Sequence, residues 1–369
     1  MHSPEIQSSL QVELTRASYP ILIGHNLESS IRDFMETKRA QGHTVCVVAD
    51  MGFSEEQAAF MEATFEGYPI LTLPSGETTK DAIYLERIYT FLAENKMDRS
   101  GYLLAVGGGV TGDISGFAAA TFLRGIGFVQ VPTTLLAMVD SSVGGKTGIN
   151  IPQGKNLVGA FYQPESVFIS TMLLQSLSNR EFSAGMAEII KYGMLGNCEL
   201  FERLESMSRL HAAHPELPDI IRICCQEKTN IVQADERETA SNGGRALLNL
   251  GHTFAHAIEK VAGYGVYLHG EAVSVGLVLA ARFSHKLGLA DKEVEERAVD
   301  LLSRYDLPVH LESPLSTRAL LDAMQSDKKV HRGNLRFIVM HGIGEARTHG
   351  DIDESLVVDV IESGRELPF

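Results

Sequence analysis

YLLAVGGGVTGDISGFAAATF (residues 102–122) passes from a continuous apolar run into three glycines, then into a second apolar stretch with helical spacing. An unbroken apolar run ahead of a helix reads as a strand covered on both faces of a parallel sheet. The glycines mark the strand-to-helix turn. Glycine at such a turn lets backbone N–H groups approach a phosphate, and the helix N-terminus adds positive potential. GGGVTGD (107–113) is not GxGxxG in register, so a tight turn without a ligand accounts for it equally well.

The same alternation extends towards the N-terminus. QVELTR and YPILIG read as two short strands, residues 26–39 as a helix and TVCVVAD (44–50) as another buried strand. A helix over 54–64, the strand PILTLP and a helix over 81–95 complete the pattern of an α/β domain with a mostly parallel sheet. PSGETTK (74–80) follows a strand and would wall a crevice at the sheet's carboxyl edge. Residues 128–164 are rich in glycine and small polar residues, the texture of surface connections. They carry Asp140, Lys146, Lys155 and Asn156, and the two lysines suit an anion or cofactor.

From about Ser176 the texture becomes helical, over NREFSAGMAEIIKYGML and residues 200–213, 218–232 and 271–287. Glu188 and Lys191, spaced i, i+3, share one helix face among apolar neighbours. Lys228, Glu238, Lys328 and Lys329 add charge further on. RALLNLGHTFAHAIEKVAGYGVYLHGE (245–271) holds the densest chemistry. Its apolar spacing predicts a helix over 248–262, with His252 and His256 on one face, Asn249 one turn before His252 and Glu259 one turn after His256. A glycine-bearing turn would return His269 to that face. Histidine is both a common zinc ligand and a proton shuttle near neutral pH. HTFAH has the spacing of a zinc-protease helix, but Thr253 occupies the general-base position, which argues against a protease. Periodicity leaves open whether both helix histidines bind metal or one acts as an acid/base group.

The 369 residues allow two domains, and 44% hydrophobic with 21% charged residues is ordinary for a globular protein. A net charge of −15 argues against nucleic acid or an anionic membrane as partner, so an anionic substrate needs a local positive site. Cys46, Cys198, Cys224 and Cys225 form no CxxC pair or disulfide framework, which suits a reducing cytoplasm. No signal peptide or membrane span is legible.

GGGVTGDISGFAAATFLRG, VPTTLLAMVDSSVGGKTGIN, GKNLVGAFYQP, AGMAEIIKYG, ADERE, LLNLGHTFAHAIE, LHGEAV and DKKV occur in this order. Together they resemble the 3-dehydroquinate synthases, within the sugar phosphate cyclases, from Val12 to about Ile343. The resemblance implies an N-terminal Rossmann-like α/β domain (1–175) that binds NAD. It also implies a mainly α-helical C-terminal domain (176–369) that binds metal and substrate. The implied reaction converts a seven-carbon keto-acid phosphate, 3-deoxy-D-arabino-heptulosonate 7-phosphate, to 3-dehydroquinate and phosphate. It proceeds by transient oxidation, β-elimination, re-reduction and intramolecular aldol closure. NAD and a divalent metal, zinc or cobalt, are the implied cofactors, and a homodimer the implied assembly. By matching positions, the metal ligands would be Glu188, His252 and His269. Arg124, Asp140, Lys146, Lys191, Lys228, Arg245, Asn249, His256 and Lys328 would contact substrate, and Glu238 would accept a proton. NAD contacts would be Asp50, Glu77, Lys80, Gly108, Gly109, Val110, Asp113, Thr133, Thr134, Lys155 and Asn156. ETASNGGR is longer than the family's ETGLR pattern before Arg245, and LLQS replaces its LKT-like segment at 173–176. Another sugar phosphate cyclase would share fold, NAD and metal, and the carboxylate-binding set Lys228, Arg245, Asn249 and Lys328 favours the keto-acid over its substrate; a glycerol-dehydrogenase-like enzyme would release NADH, whereas a cyclase recycles it.

Overall fold

A computed structural model describes residues 6–14, 17–240, 243–263, 265–311, 315–328, 336–350 and 352–365, the side chains of 326–328 excepted. The chain divides into two compact units, Met1–Ser178 with His211–Thr229, and Asn179–Leu210 with Asn230–Phe369.

The first unit runs β1 (Ile6–Glu13), β2 (Ser18–Gly24), α1 (Glu28–Ala40), β3 (Val45–Asp50), α2 (Met51–Glu56), α3 (Ala58–Phe65) and β4 (Ile70–Leu73). It continues with α4 (Ala82–Glu94), β5 (Tyr102–Gly107), α5 (Gly109–Thr121), β6 (Gly127–Pro132), β7 (Lys146–Ile151), β8 (Gly154–Phe161) and β9 (Ser166–Ser170). Seven strands form one sheet in the order β1-β2-β9-β6-β5-β3-β4, antiparallel only between β1 and β2. All of β5, and all of β3 but Asp50, is buried. Cys46, Val48, Leu103 and Ala105 pack on one face against Ile88 and Leu92 of α4 and Ile114 and Phe117 of α5. Each such large apolar side chain contributes about 1.5–3 kcal/mol when buried, which fixes the helix over the sheet and the glycine turn at the strand's end.

Two expectations change in this unit. The single helix over 54–64 is two short helices meeting at Gln57 (φ −114°, ψ 38°). The first starts early because the Asp50 carboxylate accepts the Phe53 N–H at 3.0 Å. The glycine-rich 128–164 stretch is not mainly surface connection. It contains β6, a π-helical turn (Ala137–Ser141) and the β7–β8 antiparallel hairpin. Its glycines serve close strand approach: a Cβ on Gly159 would lie 2.1 Å from the Thr147 carbonyl oxygen.

Beyond β9 come α6 (Asn179–Leu195), α7 (Cys198–Ser206) and α8 (Leu217–Ala234), the last divided between the units after Thr229. The second unit then holds α9 (His252–Ala262), α10 (His269–Lys286), α11 (Lys292–Ser303), α12 (Thr317–Lys328), the hairpin β10 (Phe337–Gly342)–β11 (Glu345–His349) and α13 (Glu354–Ser363). Helix α10 is buried continuously from Ala272 to Ser284, and α6, α9, α11, α13 and β10 pack around it. Its buried Arg282 is matched by two hydrogen bonds to Glu295, at 2.8 and 2.6 Å.

Two helices are shorter than their periodicity predicts. The 200–213 helix ends at Ser206. The 248–262 helix begins only at His252, after a 3-10 turn (Gly244–Asn249) and Gly251 at φ +77°. Gly251 packs on α10, where a Cβ would lie 2.8 Å from the Leu277 nitrogen, and this left-handed residue breaks the helix. Asn249 therefore lies off α9, not one helical turn ahead of His252. No helix among the described residues is long and apolar enough to cross a membrane.

Candidate active site

Three helices of the second unit each deliver one side chain to a common point. Glu188 lies on α6, His252 opens α9 and His269 opens α10, with one ligand atom of each all within 4.8 Å of one another. Glycines beside the histidines permit the approach. A Cβ on Gly270 would be 1.9 Å from the Ala184 carbonyl oxygen, one turn before Glu188. One on Gly276 of α10 would be 2.2 Å from the oxygen of Gly251, the residue before His252.

Glu188 Oε1 lies 3.6 Å from His252 Nε2 and 3.5 Å from His269 Nε2. Tetrahedral bonds of about 2.0–2.2 Å would set neighbouring zinc ligands roughly 3.3–3.6 Å apart. His252 Nδ1 sits 3.0 Å from the Leu250 carbonyl, which can only accept, so Nδ1 carries the proton and Nε2 turns its lone pair towards Glu188. An imidazole lone pair opposite a carboxylate is an arrangement that a cation resolves. Carboxylate with two imidazoles is also a suitable zinc donor set, so the residues fit a divalent ion.

The protein groups alone hold the two histidines at different protonation. Burial, reinforced by the Lys191 charge, lowers His252 to about 3. At His269 burial also disfavours the cation, but hydrogen bonds to Glu188 and Glu259 outweigh it and raise the pKa to about 10. Lys191 and Glu188 form a fully buried ion pair on α6, the i, i+3 contact that the sequence suggested. His256 is exposed beside the cluster, its ring 5.5 Å from His252 and 6.3 Å from His269.

Arg245 is buried, 1% exposed, and its guanidinium donates to the Glu236 carbonyl at 3.0 Å. Asp235 organises this loop. Its carboxylate accepts backbone N–H groups from Thr239 (2.8 Å), Ala240 (3.3 Å) and Arg245 (3.1 Å). Glu238 within it has φ +54°, and Arg124 and Asn156 share that unusual conformation at +69° and +56°. Asn249 is exposed, and the Lys328 side chain and Lys329 lie outside the described residues.

The remaining candidates lie in the first unit. Gly108 caps α5, and Val110 is in its first turn. A Cβ on Gly108 would stand 3.2 Å from Thr134 Cγ2, and one on Gly109 3.0 Å from Ser141 Oγ, so a side chain at either position would require a neighbour to shift. The Thr133 N–H donates to the Gly107 carbonyl at 3.0 Å, and Thr134 Oγ1 accepts from Ala137 at 3.2 Å, tying β5 to the turn after β6. Lys80 is buried, pairs with Asp113 on α5 and donates to Asn156 Oδ1 at 2.5 Å on β8, where Lys155 is half-buried. Asp50 accepts Ser75 Oγ at 2.6 Å, and Glu77 accepts Asn150 Nδ2 at 2.7 Å. Asn150, absent from the sequence-based set, also receives the Asn156 N–H at 2.9 Å, linking the 77–80 turn to the hairpin. Only its side-chain hydrogen bonds to Glu77 and the Asn156 backbone reveal that role. Lys228 donates to the Asp140 carbonyl and carboxylate at 2.5 and 2.8 Å. Asp140 sits on the π-helical turn, a distortion common at functional sites. Lys146 and Arg124 are exposed.

A parallel sheet with a glycine turn at its carboxyl edge, and a helical unit gathering Glu–His–His, are the parts of a nucleotide- and metal-binding protein. Two solved cyclases share the fold. ValA, a 2-epi-5-epi-valiolone synthase from Streptomyces hygroscopicus subsp. jinggangensis 5008 with NAD+ and Zn2+ bound, has a TM-score of 0.82 at 25% identity, over 95% of this chain and 99% of its own. A 2-deoxy-scyllo-inosose synthase complexed with carbaglucose-6-phosphate, NAD+ and Co2+ has a TM-score of 0.83 at 24% identity, over 97% and 100%. Residues 70–184 match the 3-dehydroquinate synthase N-terminal model, and 185–330 the C-terminal model. A 3-dehydroquinate synthase of Opitutus terrae (strain DSM 11246 / JCM 15787 / PB90-1) is 51% identical over 352 residues, 95% of this chain and 97% of that one. The chain belongs to the 3-dehydroquinate synthase family.

Proposed function

We infer that the protein converts 3-deoxy-D-arabino-heptulosonate 7-phosphate to 3-dehydroquinate and phosphate, a lyase reaction leading to aromatic amino acids. The observation that carries this is the 51% identity over 95% of the chain, about twice that to the cyclases of other sugar phosphates. When bound, NAD supplies a hydride acceptor regenerated within each turnover, and a divalent ion, zinc or cobalt, supplies Lewis-acid polarisation of substrate oxygens.

The residue roles are our assignments. Glu188, His252 and His269 hold the ion, which the 4.8 Å cluster supports. Gly108, Gly109 and Val110 receive the nucleotide phosphates, with Asp50, Glu77, Lys80, Asp113, Thr133, Thr134, Lys155 and Asn156 shaping that end. The position of these residues at the β5–α5 turn, with Gly108 as the N-cap of α5, supports this placement. Arg245 clamps the substrate carboxylate. Arg124, Lys146, Lys191, Lys228, Asn249 and Lys328 contact the remaining substrate oxygens, and Asp140 orients Lys228. Glu238 and His256 move protons. Residues 1–175 serve the cofactor and 176–369 the metal and most of the substrate. The protein works in the cytoplasm as a homodimer.

Phosphate release from the heptulosonate phosphate, followed with and without NAD, tests the reading. Product should exceed the NAD supplied, with no net NADH. One NADH per product would mean a dehydrogenase, and turnover only with another sugar phosphate would mean a different cyclase.

A further inference from the structure

The two histidines of the cluster are held by different means. His252 is buried, and the Leu250 backbone carbonyl fixes its Nδ1–H. The His269 side chain is 35% exposed and faces a carboxylate instead: its Nδ1 lies 3.4 Å from Glu259 Oε2. Glu259 lies on α9, seven residues after His252, and is itself only 7% exposed. An ionised carboxylate can only accept, so the contact puts a proton on Nδ1; an ion at the cluster would take the place of the Nε2 proton that Glu188 otherwise holds, and Nε2 would then be the ring's lone-pair atom. Nε2 is the atom that faces Glu188, at 3.5 Å.

We propose that Glu259 is a positioning residue for the metal centre, holding His269 in the one tautomer and ring orientation that presents Nε2 beside Glu188 and His252. This rests on the assignment of those three residues as ligands. Partners behind metal-bound histidines fix tautomer and ring angle and raise ligand basicity. At His252 a backbone carbonyl and burial do this, which substitution of a neighbouring side chain leaves in place. At the more exposed His269 ring the restraint is a side chain, and so can be removed.

Competition with a chromogenic chelator would measure the Zn2+ affinity of the metal-stripped full chain. Wild type, Glu259→Gln, Glu259→Ala and His252→Ala would be compared. Glu259→Ala should bind Zn2+ about 10–100-fold more weakly than wild type. Glu259→Gln, whose amide oxygen still accepts the Nδ1–H but carries no charge, should fall between the two. NAD affinity, read separately, should stay at the wild-type value in both. Wild-type Zn2+ affinity in Glu259→Ala would overturn the proposal even if its melting temperature fell. If that variant does not fold, wild-type affinity in Glu259→Gln overturns it. Equal Zn2+ binding by wild type and His252→Ala would sink the ligand assignment itself, and this inference with it.

Discussion

Gly270 and Ala184 stand closer than any side chain would permit: a Cβ on Gly270 would lie 1.9 Å from the Ala184 carbonyl oxygen. Backbone on backbone leaves nothing flexible to give way. The contact brings the start of α10, and with it His269, to Glu188 on α6.

Gly270→Ala should therefore damage the site through geometry. Overpacking of this kind costs about 1–3 kcal/mol, and relief requires α10 to move off α6. Zinc content should fall more than the loss of stability alone explains. Metal analysis of the folded fraction, beside thermal unfolding, checks this; full zinc occupancy in a folded variant would contradict it.

Lys80→Met should act on the other unit. It removes the cation that joins Asp113 to Asn156 and leaves the carboxylate without that counter-charge. Stability should drop by about 1–3 kcal/mol, and NAD affinity at least about tenfold, while metal content stays unchanged. Nucleotide titration and urea unfolding separate the effects. Undiminished NAD binding would show that this bridge has no part in holding the cofactor.

Asp235 offers a pH test. Burial raises its pKa, but hydrogen bonds from the Thr239, Arg245 and Ala240 backbones outweigh burial and hold the carboxyl below its usual value. A folded pKa below the unfolded one stabilises the protein above the unfolded value, near about 4, and that contribution is lost as pH falls through the folded value. Asp235→Asn should cost about 1–3 kcal/mol at pH 7, because an amide NH2 would face a backbone N–H. Its further loss of stability below about pH 4 should be smaller than wild type's. Urea unfolding at both pH values measures the difference, and parallel pH profiles would rule out the assigned role.

The strand–helix alternation of the first unit was legible because its causes are local: unbroken apolar runs at 44–50 and 102–107 have to be covered on both faces. The four-residue spacing of His252 and His256 was legible for the same reason, since helical register is a property of neighbours. The glycine-bearing turn nominated His269 as their companion, and the resemblance added Glu188. Periodicity carried the helix back to Leu248, and there it failed, because Gly251 takes its left-handed conformation against α10, a contact with residues 276 and 277. The glycines at 148 and 159 looked like loop residues for a similar reason: what they accommodate is the opposite strand of a hairpin. Composition and period thus determined the strand–helix alternation up to α5 and the helical texture beyond Ser176. Which backbones touch was decided only by tertiary packing, and with it the approach of Glu188 on α6 to His252 and His269, because that contact joins helices that no local pattern relates.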